Sequence, residues 1–534
     1  MREQVSTVPV GGERVGNGPV PSQPGQHRTS ARSLVTCRLI ASSQVSGAPH
    51  SGFPKVPCRW TGLLLGLAVL AGVEGTVQGE DWPQFRGMNA SGVSGSPARL
   101  PVEFSFEHKM RWQASLGDGV SCPIVSRGRV FATGMADELR KLAVMAFDAA
   151  DGAPLWRREF DVGKLPRITP PNSHASSTPA TDGDRVYVYF STLGLLALDA
   201  KSGDHLWTAP VQQPAYLMDW GAASSPIVHD GKVFFCQDDD LAPMLYAFDA
   251  KTGKLAWKTE RPDMLAGYAV PVVCEANGQT DIVVSGSGKL KGYNPADGTE
   301  RWTCNTLLRT MMTSPVVRDG IIYISCQSYG DEKRTLKFAL LEWLDTNQDG
   351  ELAKDEVPKE FHKRFAVSDR DGDGVLKEAE LDTAFQSPEN MVGGGTTIQA
   401  VRGGGQGDVT NTHLLWNLKN TSPSNMVSPL VVGQQLFIVK RGGISSSFNI
   451  TKGDTLWKMS RIGNLGDYYS SPVAGDGKIY VTGENGFITV LAQGDKLEVL
   501  ARNDMGEPCV ATPAIADGRL YIRTREKLFC ISEQ

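Results

Sequence analysis

Eight times along this chain a small residue precedes Pro, and small or β-branched residues, a turn and a run of alternating apolar residues follow. Two of the copies are Ser225-Pro-Ile-Val-His-Asp-Gly-Lys-Val-Phe-Phe235 and Ser471-Pro-Val-Ala-Gly-Asp-Gly-Lys-Ile-Tyr-Val481; the last begins at Thr512. Asp-Gly between two apolar runs marks a hairpin, because Gly supplies the positive φ that such turns need. The prolines are Pro123, Pro179, Pro226, Pro271, Pro315, Pro429, Pro472 and Pro513, and six of their seven spacings lie between 41 and 56 residues. The exception, 114 residues from Pro315 to Pro429, signals an insertion.

A second motif follows most copies. It reads Asp148-Ala-Ala-Asp-Gly-Ala-Pro-Leu-Trp156, Asp199-Ala-Lys-Ser-Gly-Asp-His-Leu-Trp207 and Asp249-Ala-Lys-Thr-Gly-Lys-Leu-Ala-Trp257, with variants ending at Trp302 and Trp457. Each copy describes a third strand, a tight turn and a fourth strand carrying Trp. A unit of four antiparallel strands in about 45 residues has the size of a propeller blade. The chain ends on a third strand, 528–531, with no fourth after it, whereas Trp112 precedes the first Pro strand. The strand around Trp112 is therefore expected to complete the last blade and close the ring, which removes exposed sheet edges. The expected fold is an all-β, eight-bladed propeller with a small helical insertion, and Trp112, Trp156, Trp207, Trp257, Trp302, Trp416 and Trp457 are expected to pack blade against blade. The many turns account for 58 Gly in 534 residues.

These repeats resemble those of pyrroloquinoline-quinone-type (PQQ-like) propellers, the superfamily of quinoprotein alcohol dehydrogenases and the assembly lipoprotein BamB. Asp81-Trp-Pro-Gln-Phe-Arg-Gly87 resembles the opening of secreted bacterial members. The resemblance covers residues 81–534; it implies the fold and leaves the activity open.

The insertion, residues 331–391, changes character: 16 Asp and Glu stand against 9 Lys and Arg, and Gly is scarce. Residues 336–344 read as an amphipathic helix that runs into Asp345-Thr-Asn-Gln-Asp-Gly-Glu-Leu-Ala-Lys-Asp-Glu356; Asp369-Arg-Asp-Gly-Asp-Gly-Val-Leu-Lys-Glu-Ala-Glu380 is a second such loop. Both match the 12-residue EF-hand loop. Side-chain ligands are expected from Asp345, Asn347, Asp349 and Glu356, and from Asp369, Asp371, Asp373 and Glu380; Glu351 and Val375 offer carbonyls. Leu352 and Leu376 are positioned to pair the loops. The loop starts are 24 residues apart, closer than in the usual EF-hand pair, so one short helix over 359–365 is expected to serve both. That argues for a structural, loop-ordering calcium role rather than an opening switch.

Residues 55–80 read as a secretory signal: Lys55 and Arg59, then an apolar run over 61–73, too short for a comfortable membrane span. Residues 1–54 read as a disordered extension or the product of a start set too far upstream. Cys37 and Cys58 precede the apolar run, so a lipid anchor is not expected, and the other seven cysteines form no CxxC or adjacent pair and read as buried small hydrophobes. The domain reading is thus leader at 1–54 and 55–80, propeller at 81–330 and 392–534, and insertion at 331–391. The location expected is periplasmic or secreted, as a monomer without a stable membrane span. A net charge of −5 gives no electrostatic case for nucleic acid.

Loops entering each innermost strand should converge on one face of the channel. Candidates there are His174, Trp220, Tyr268, Arg309, Asn425, Tyr468 and Glu507, and the insertion should overhang that face. Asp238-Asp-Asp240 reads as a solvated turn. No catalytic residue is assigned: the chain has no CxxCH, GxSxG, HExxH or P-loop, and His is scarce at eight. The adjacent-cysteine pair that resemblance to quinoprotein dehydrogenases would imply is missing as well. The functional expectation is a calcium-binding, non-catalytic module for an envelope protein or glycan. A quinone-dependent (PQQ) oxidoreductase and a BamB-like assembly factor are the alternatives.

Overall fold

The computed structural model describes residues 80–534 apart from 137–139, 265, 307–311, 328–336, 386–394, 420, 425, 464 and 534. The leader, Arg309 and Asn425 lie outside the described residues. Eight four-stranded antiparallel sheets follow one another along the chain, one of them extended by a fifth, two-residue strand, Gly407–Asp408. In blade one the strands are Ile124–Ser126, Arg129–Ala136, Lys141–Asp148 and Pro154–Asp161. Blade eight takes three strands from the C-terminus, and its outer strand, Met110–Ser115, pairs with Lys527–Ser532 to close the ring. No helix among the described residues is long and apolar enough to cross a membrane.

The two sequence motifs have separate jobs in joining blades. The Trp indole N–H donates to the turn of the next blade: Trp112 to Ala149 O, Trp156 to Ala200 O and Trp207 to Ala250 O, each at 3.2 Å, Trp257 to Pro295 O at 3.1 Å and Trp416 to Ile450 O at 3.0 Å. The turn glycine lies flat on that indole. A Cβ on Gly203 would come within 2.5 Å of the Trp156 ring. Where the next blade lacks the turn motif, the indole bonds its own blade instead: Trp302 to Asp281 Oδ2 at 2.8 Å and Trp457 to Ser445 Oγ at 3.3 Å.

The small residue before each Pro builds an inner belt. Backbone N–H groups donate to the side chain of the equivalent residue one blade on: Cys122 to Thr178 (3.0 Å), Thr178 to Ser225 (2.9 Å), Val270 to Ser314 (2.9 Å) and Ser314 to Ser428 (3.0 Å). The belt continues from Ser428 to Ser471 (3.1 Å) and Ser471 to Thr512 (3.0 Å), and Thr512 closes it on the Cys122 sulfur at 3.2 Å. The gap falls at Val270, which has no acceptor; there Ser224 Oγ donates to Ala269 O instead. All seven cysteines of the described region are buried thiols, as expected.

The Asp81–Gly87 motif crosses the channel floor. Trp82 pairs with Val125 of blade one, Pro83 O accepts from Thr181 of blade two at 2.9 Å, and Arg86 Nη2 donates to Pro429 O of blade six at 2.8 Å. Blades two and six are opposite in the ring, so the segment spans its diameter.

The insertion leaves blade five between strands Ile321–Gln327 and Thr396–Arg402. Its helices are Lys337–Leu344, His362–Ser368 and Glu378–Thr383, with a short 3-10 turn, Lys359–Phe361, before the second. Leu352 lies opposite Leu376 in a two-residue antiparallel ladder. Leu340, Leu344, Phe361, Phe365 and Leu381 form its core together with Leu217 of the propeller.

Candidate functional site

Loops entering the innermost strands of several blades meet at one mouth of the channel. Under them lies a chamber of about 390 Å³, walled by Trp220, Tyr268, Tyr469, Met312 and Met426 and floored by Phe85 and the belt residues. Tyr268 stacks on Tyr216 at 5.0 Å and tilts against Trp220 at 6.3 Å. The belt hydroxyls are already acceptors for backbone N–H groups, and no described lining residue carries a charge.

Beside the chamber a second, more polar cavity of about 700 Å³ lies between the loops of blades two and three and the insertion. The propeller contributes Arg167, His174, Tyr189, Gln213 and Asp219; the insertion contributes the run Asp355–Glu360. Burial pushes the imidazole of His174 below its usual value, against the pull of Asp118. Burial also lifts the Asp219 carboxyl; Arg167 opposes that rise, with Nε 3.8 Å away, and Glu360 of the insertion adds to it.

Trp220 and Tyr268 thus reach the chamber, and His174 faces the neighbouring cavity. Tyr468 belongs to the core between blades six and seven, and its neighbour Tyr469 lines the chamber. Both lie in the loop between strands Thr455–Arg461 and Val473–Gly475, where the sequence carried no marker of which of the two faces the channel. Glu507 pairs with Lys527 and does not line the chamber.

Asp238-Asp-Asp240 requires a correction. All three residues are buried, 2%, 0% and 3% exposed, rather than solvated. Asp238 receives both Nε and Nη2 of the buried Arg261, at 2.7 and 2.8 Å, and its carbonyl accepts from Gly267, next to Tyr268. Asp239 Oδ2 accepts from Ala215 N at 3.1 Å and Asp240 Oδ2 from Leu217 N at 2.9 Å, while Asp240 O accepts from Arg364 Nη1 of the insertion at 2.5 Å. Consecutive carboxylates at the end of an apolar strand, facing orphan loop amides, were the available signal. The triplet positions Tyr216, Tyr268 and the loop on which the insertion rests.

In the first acidic loop Asp345 accepts from Gln348 N (2.7 Å) and Gly350 N (2.9 Å), Asn347 from Asp349 N (2.8 Å) and Asp349 from Glu351 N (2.9 Å). Glu356 folds back onto Thr346 N and Ala353 N. The second loop repeats this: Asp369 accepts from Gly372 N and Gly374 N, Asp371 from Asp373 N and Asp373 from Val375 N. Carboxylate oxygens of Asp369, Asp371 and Asp373 lie within 4.8 Å of one another. Glu380 Oε1 accepts from Arg370 N at 2.6 Å, whereas its Oε2 is buried with no hydrogen-bond partner. Lys377 Nζ occupies Asp373 Oδ2. Gly350 and Gly374, at φ 82° and 84°, make the sharp turns.

The chain is similar over part of its length to proteins of two kinds. It is 35% identical over 138 residues to quinohemoprotein alcohol dehydrogenase ADH IIB of Pseudomonas putida, covering 25% of this chain and 20% of that one. It is 28% identical over 240 residues to outer membrane protein assembly factor BamB of Yersinia pestis, covering 42% of this chain and 57% of that one. The chain therefore spans a fifth of the dehydrogenase and just over half of this BamB. Among solved structures, BamB from Moraxella catarrhalis aligns at 12% identity with a TM-score of 0.49, over 79% of this chain and 98% of that one. The PQQ_2 family model, described as outer membrane protein assembly factor BamB, matches residues 106–220, 143–371 and 369–534. Those matches run through all eight blades, and the chain belongs to the PQQ_2 family.

Proposed function

We propose that this propeller is a non-catalytic, calcium-binding protein of the cell envelope. In this reading its acidic insertion, loaded with calcium, forms one wall of a binding cavity for an envelope protein or glycan. The observation that carries the calcium reading is Glu380, whose buried Oε2 has no partner and which folds back onto the loop of Asp369, Asp371 and Asp373. A buried carboxylate oxygen left unpaired is costly, and a hard cation taking six to eight oxygens relieves that cost. The residues that would hold calcium are Asp345, Asn347, Asp349, Glu356 and the Glu351 carbonyl in one loop. In the other they are Asp369, Asp371, Asp373, Glu380 and the Val375 carbonyl. Glu356 is continuous with Asp355–Glu360 in the wall of the polar cavity, so an ion there would fix the wall directly.

The envelope reading is supported by the family's description and by the secretory pattern of residues 55–80. The mixed lining of the polar cavity, with imidazole, phenol, amide and both signs of charge, suits a polar, hydrogen-bonding partner.

Some relatives are named as quinoprotein dehydrogenases, which raises pyrroloquinoline quinone as a cofactor. That molecule is a tricarboxylate, and a buried site for it requires cations. The described chamber lining offers none, so the chamber does not fit it.

Hydrogen exchange of the purified secreted form, with calcium and with chelator, tests this function. Calcium should protect residues 355–360 and the facing residues 215–219. Unchanged exchange in both segments would sink the calcium-wall reading, and dye-linked alcohol oxidation after addition of calcium and pyrroloquinoline quinone would overturn the non-catalytic one.

A further inference from the structure

The inner belt leaves hydrogens over. Ser225, Ser314, Ser428 and Ser471 each accept one backbone N–H from the preceding belt position, at 2.9, 2.9, 3.0 and 3.1 Å. A hydroxyl that accepts still carries one O–H to donate. Among the described residues no group takes that hydrogen from any of the four. The serines one position earlier in blades two and three behave differently: Ser177 donates to Ser224 O at 2.8 Å and Ser224 to Ala269 O at 3.2 Å. At Thr178 and Thr512 the Cys122 sulfur stands within reach of the hydroxyl. The unclaimed hydrogens therefore belong to the four belt serines, and all four line the same chamber.

Above that floor of donors the walls are of another kind. Trp220, Tyr268, Tyr469, Met312 and Met426 offer aromatic and thioether surface, and no described lining residue is charged. Arg86 and Arg523 are wholly buried and do not line the chamber, so neither meets a ligand there by contact. A purely apolar ligand would strip water from the serine O–H groups and give nothing back. A carboxylate would leave water for a site with no lining cation. What satisfies both floor and walls is an uncharged, mostly apolar molecule with a hydrogen-bond acceptor at one end. A volume of about 390 Å³ is that of a small-molecule site, too small for a folded partner.

We propose that the chamber binds a small uncharged ligand carrying a carbonyl-type acceptor, a ketone, ester or amide. Its oxygen accepts from the belt serines, and its apolar body lies against Trp220, Met312 and Met426. The site needs neither calcium nor the polar cavity, so it stands or falls apart from the function proposed above.

Three probes of one ring and similar size test it: acetophenone, ethylbenzene and benzoate, titrated into the purified chain by ligand-detected NMR. A plain apolar cavity prefers ethylbenzene, because the ketone loses water at its oxygen. A floor of donors reverses that order, and acetophenone should bind about 2- to 10-fold more tightly than ethylbenzene. Benzoate should bind more weakly than the ketone. Ala223 lines the chamber and is exposed there, so Ala223→Phe places a ring in the ligand's space without crowding the core. That variant should lose acetophenone binding and keep the wild-type melting temperature; if it fails to fold, Ala223→Leu should weaken binding. No uptake of acetophenone by the wild type, tighter binding of ethylbenzene or benzoate, or unchanged acetophenone binding in a folded Ala223 variant would overturn the proposal.

Discussion

The backbone N–H of Thr512 donates to the sulfur of Cys122 at 3.2 Å, and with that contact the inner belt returns from the last blade to the first. Elsewhere the belt uses Ser or Thr, so a thiol is doing a hydroxyl's work at the seam. Cys122→Ser should therefore be tolerated, within about 1 kcal/mol of wild type. Cys122→Val leaves the Thr512 amide unpaired and should cost about 1–3 kcal/mol. Chemical denaturation of the two variants checks this ordering, and the reverse order would contradict it.

Gly203 lies on Trp156 at φ 72°. Gly203→Ala meets both a strained backbone and an indole with no room to move, and should destabilise by about 2–4 kcal/mol. Gly231 has the same φ sign but open space around it, so Gly231→Ala should cost only about 1 kcal/mol. Melting curves that fail to separate the two variants would remove the packing argument.

Asp238 and Arg261 form a sealed pair behind the chamber. Arg261→Met strands the carboxylate and should cost about 3–5 kcal/mol. The double variant Asp238→Asn with Arg261→Met should recover part of that loss, because the stranded charge is gone. A double variant as unstable as the sum of the single ones would show no coupling.

Asp182 gives a pH signature. Burial opposes its ionisation, but the Tyr187 hydroxyl at 2.7 Å, Arg185 and two backbone amides outweigh burial and hold the carboxyl below the ordinary aspartate value. A depressed folded-state value stabilises above the unfolded value of about 3.9 and ceases to do so as pH falls through the folded one. The stability gap between wild type and Asp182→Asn should thus narrow as pH is lowered from about 6 towards 3. A gap independent of pH would contradict the assignment.

Lys377 competes for Asp373 Oδ2, an oxygen the proposed calcium site needs. Lys377→Gln should tighten calcium binding at the second loop and, by leaving the loop more negative, increase its dependence on salt. Weaker binding in this variant would show that the lysine supports the site rather than opposing it.

Much of the ring was legible because its joints are written in residue types. A Ser or Thr before Pro serves the belt, and Asp-Ala-x-x-Gly receives an indole, so spacing alone exposes eight blades and their closure. Trp302 and Trp457 bind their own blades for the same reason, since the blade that follows each lacks the receiving turn. The acidic loops were legible from oxygen spacing, and Leu352 meets Leu376 as that spacing requires. What escaped depends on long-range partners. The Asp238–Asp240 triplet looks solvated until Arg261, Ala215 and Leu217 are brought to it. Arg86 reads as one residue of a leader-proximal motif until the ring closes around it. Tyr468 and Tyr469 differ only in loop phase, which no local pattern marks.

The central claim is that the insertion is a calcium site bearing on the cavity wall, and calorimetric titration of the purified propeller with calcium tests it most directly. The account predicts two ions per chain, loss of one in Glu356→Gln and of the other in Glu380→Gln, and a melting temperature that falls when chelator is added to the wild type. Absence of calcium uptake by the wild type, with its melting temperature unchanged by chelator, would contradict it.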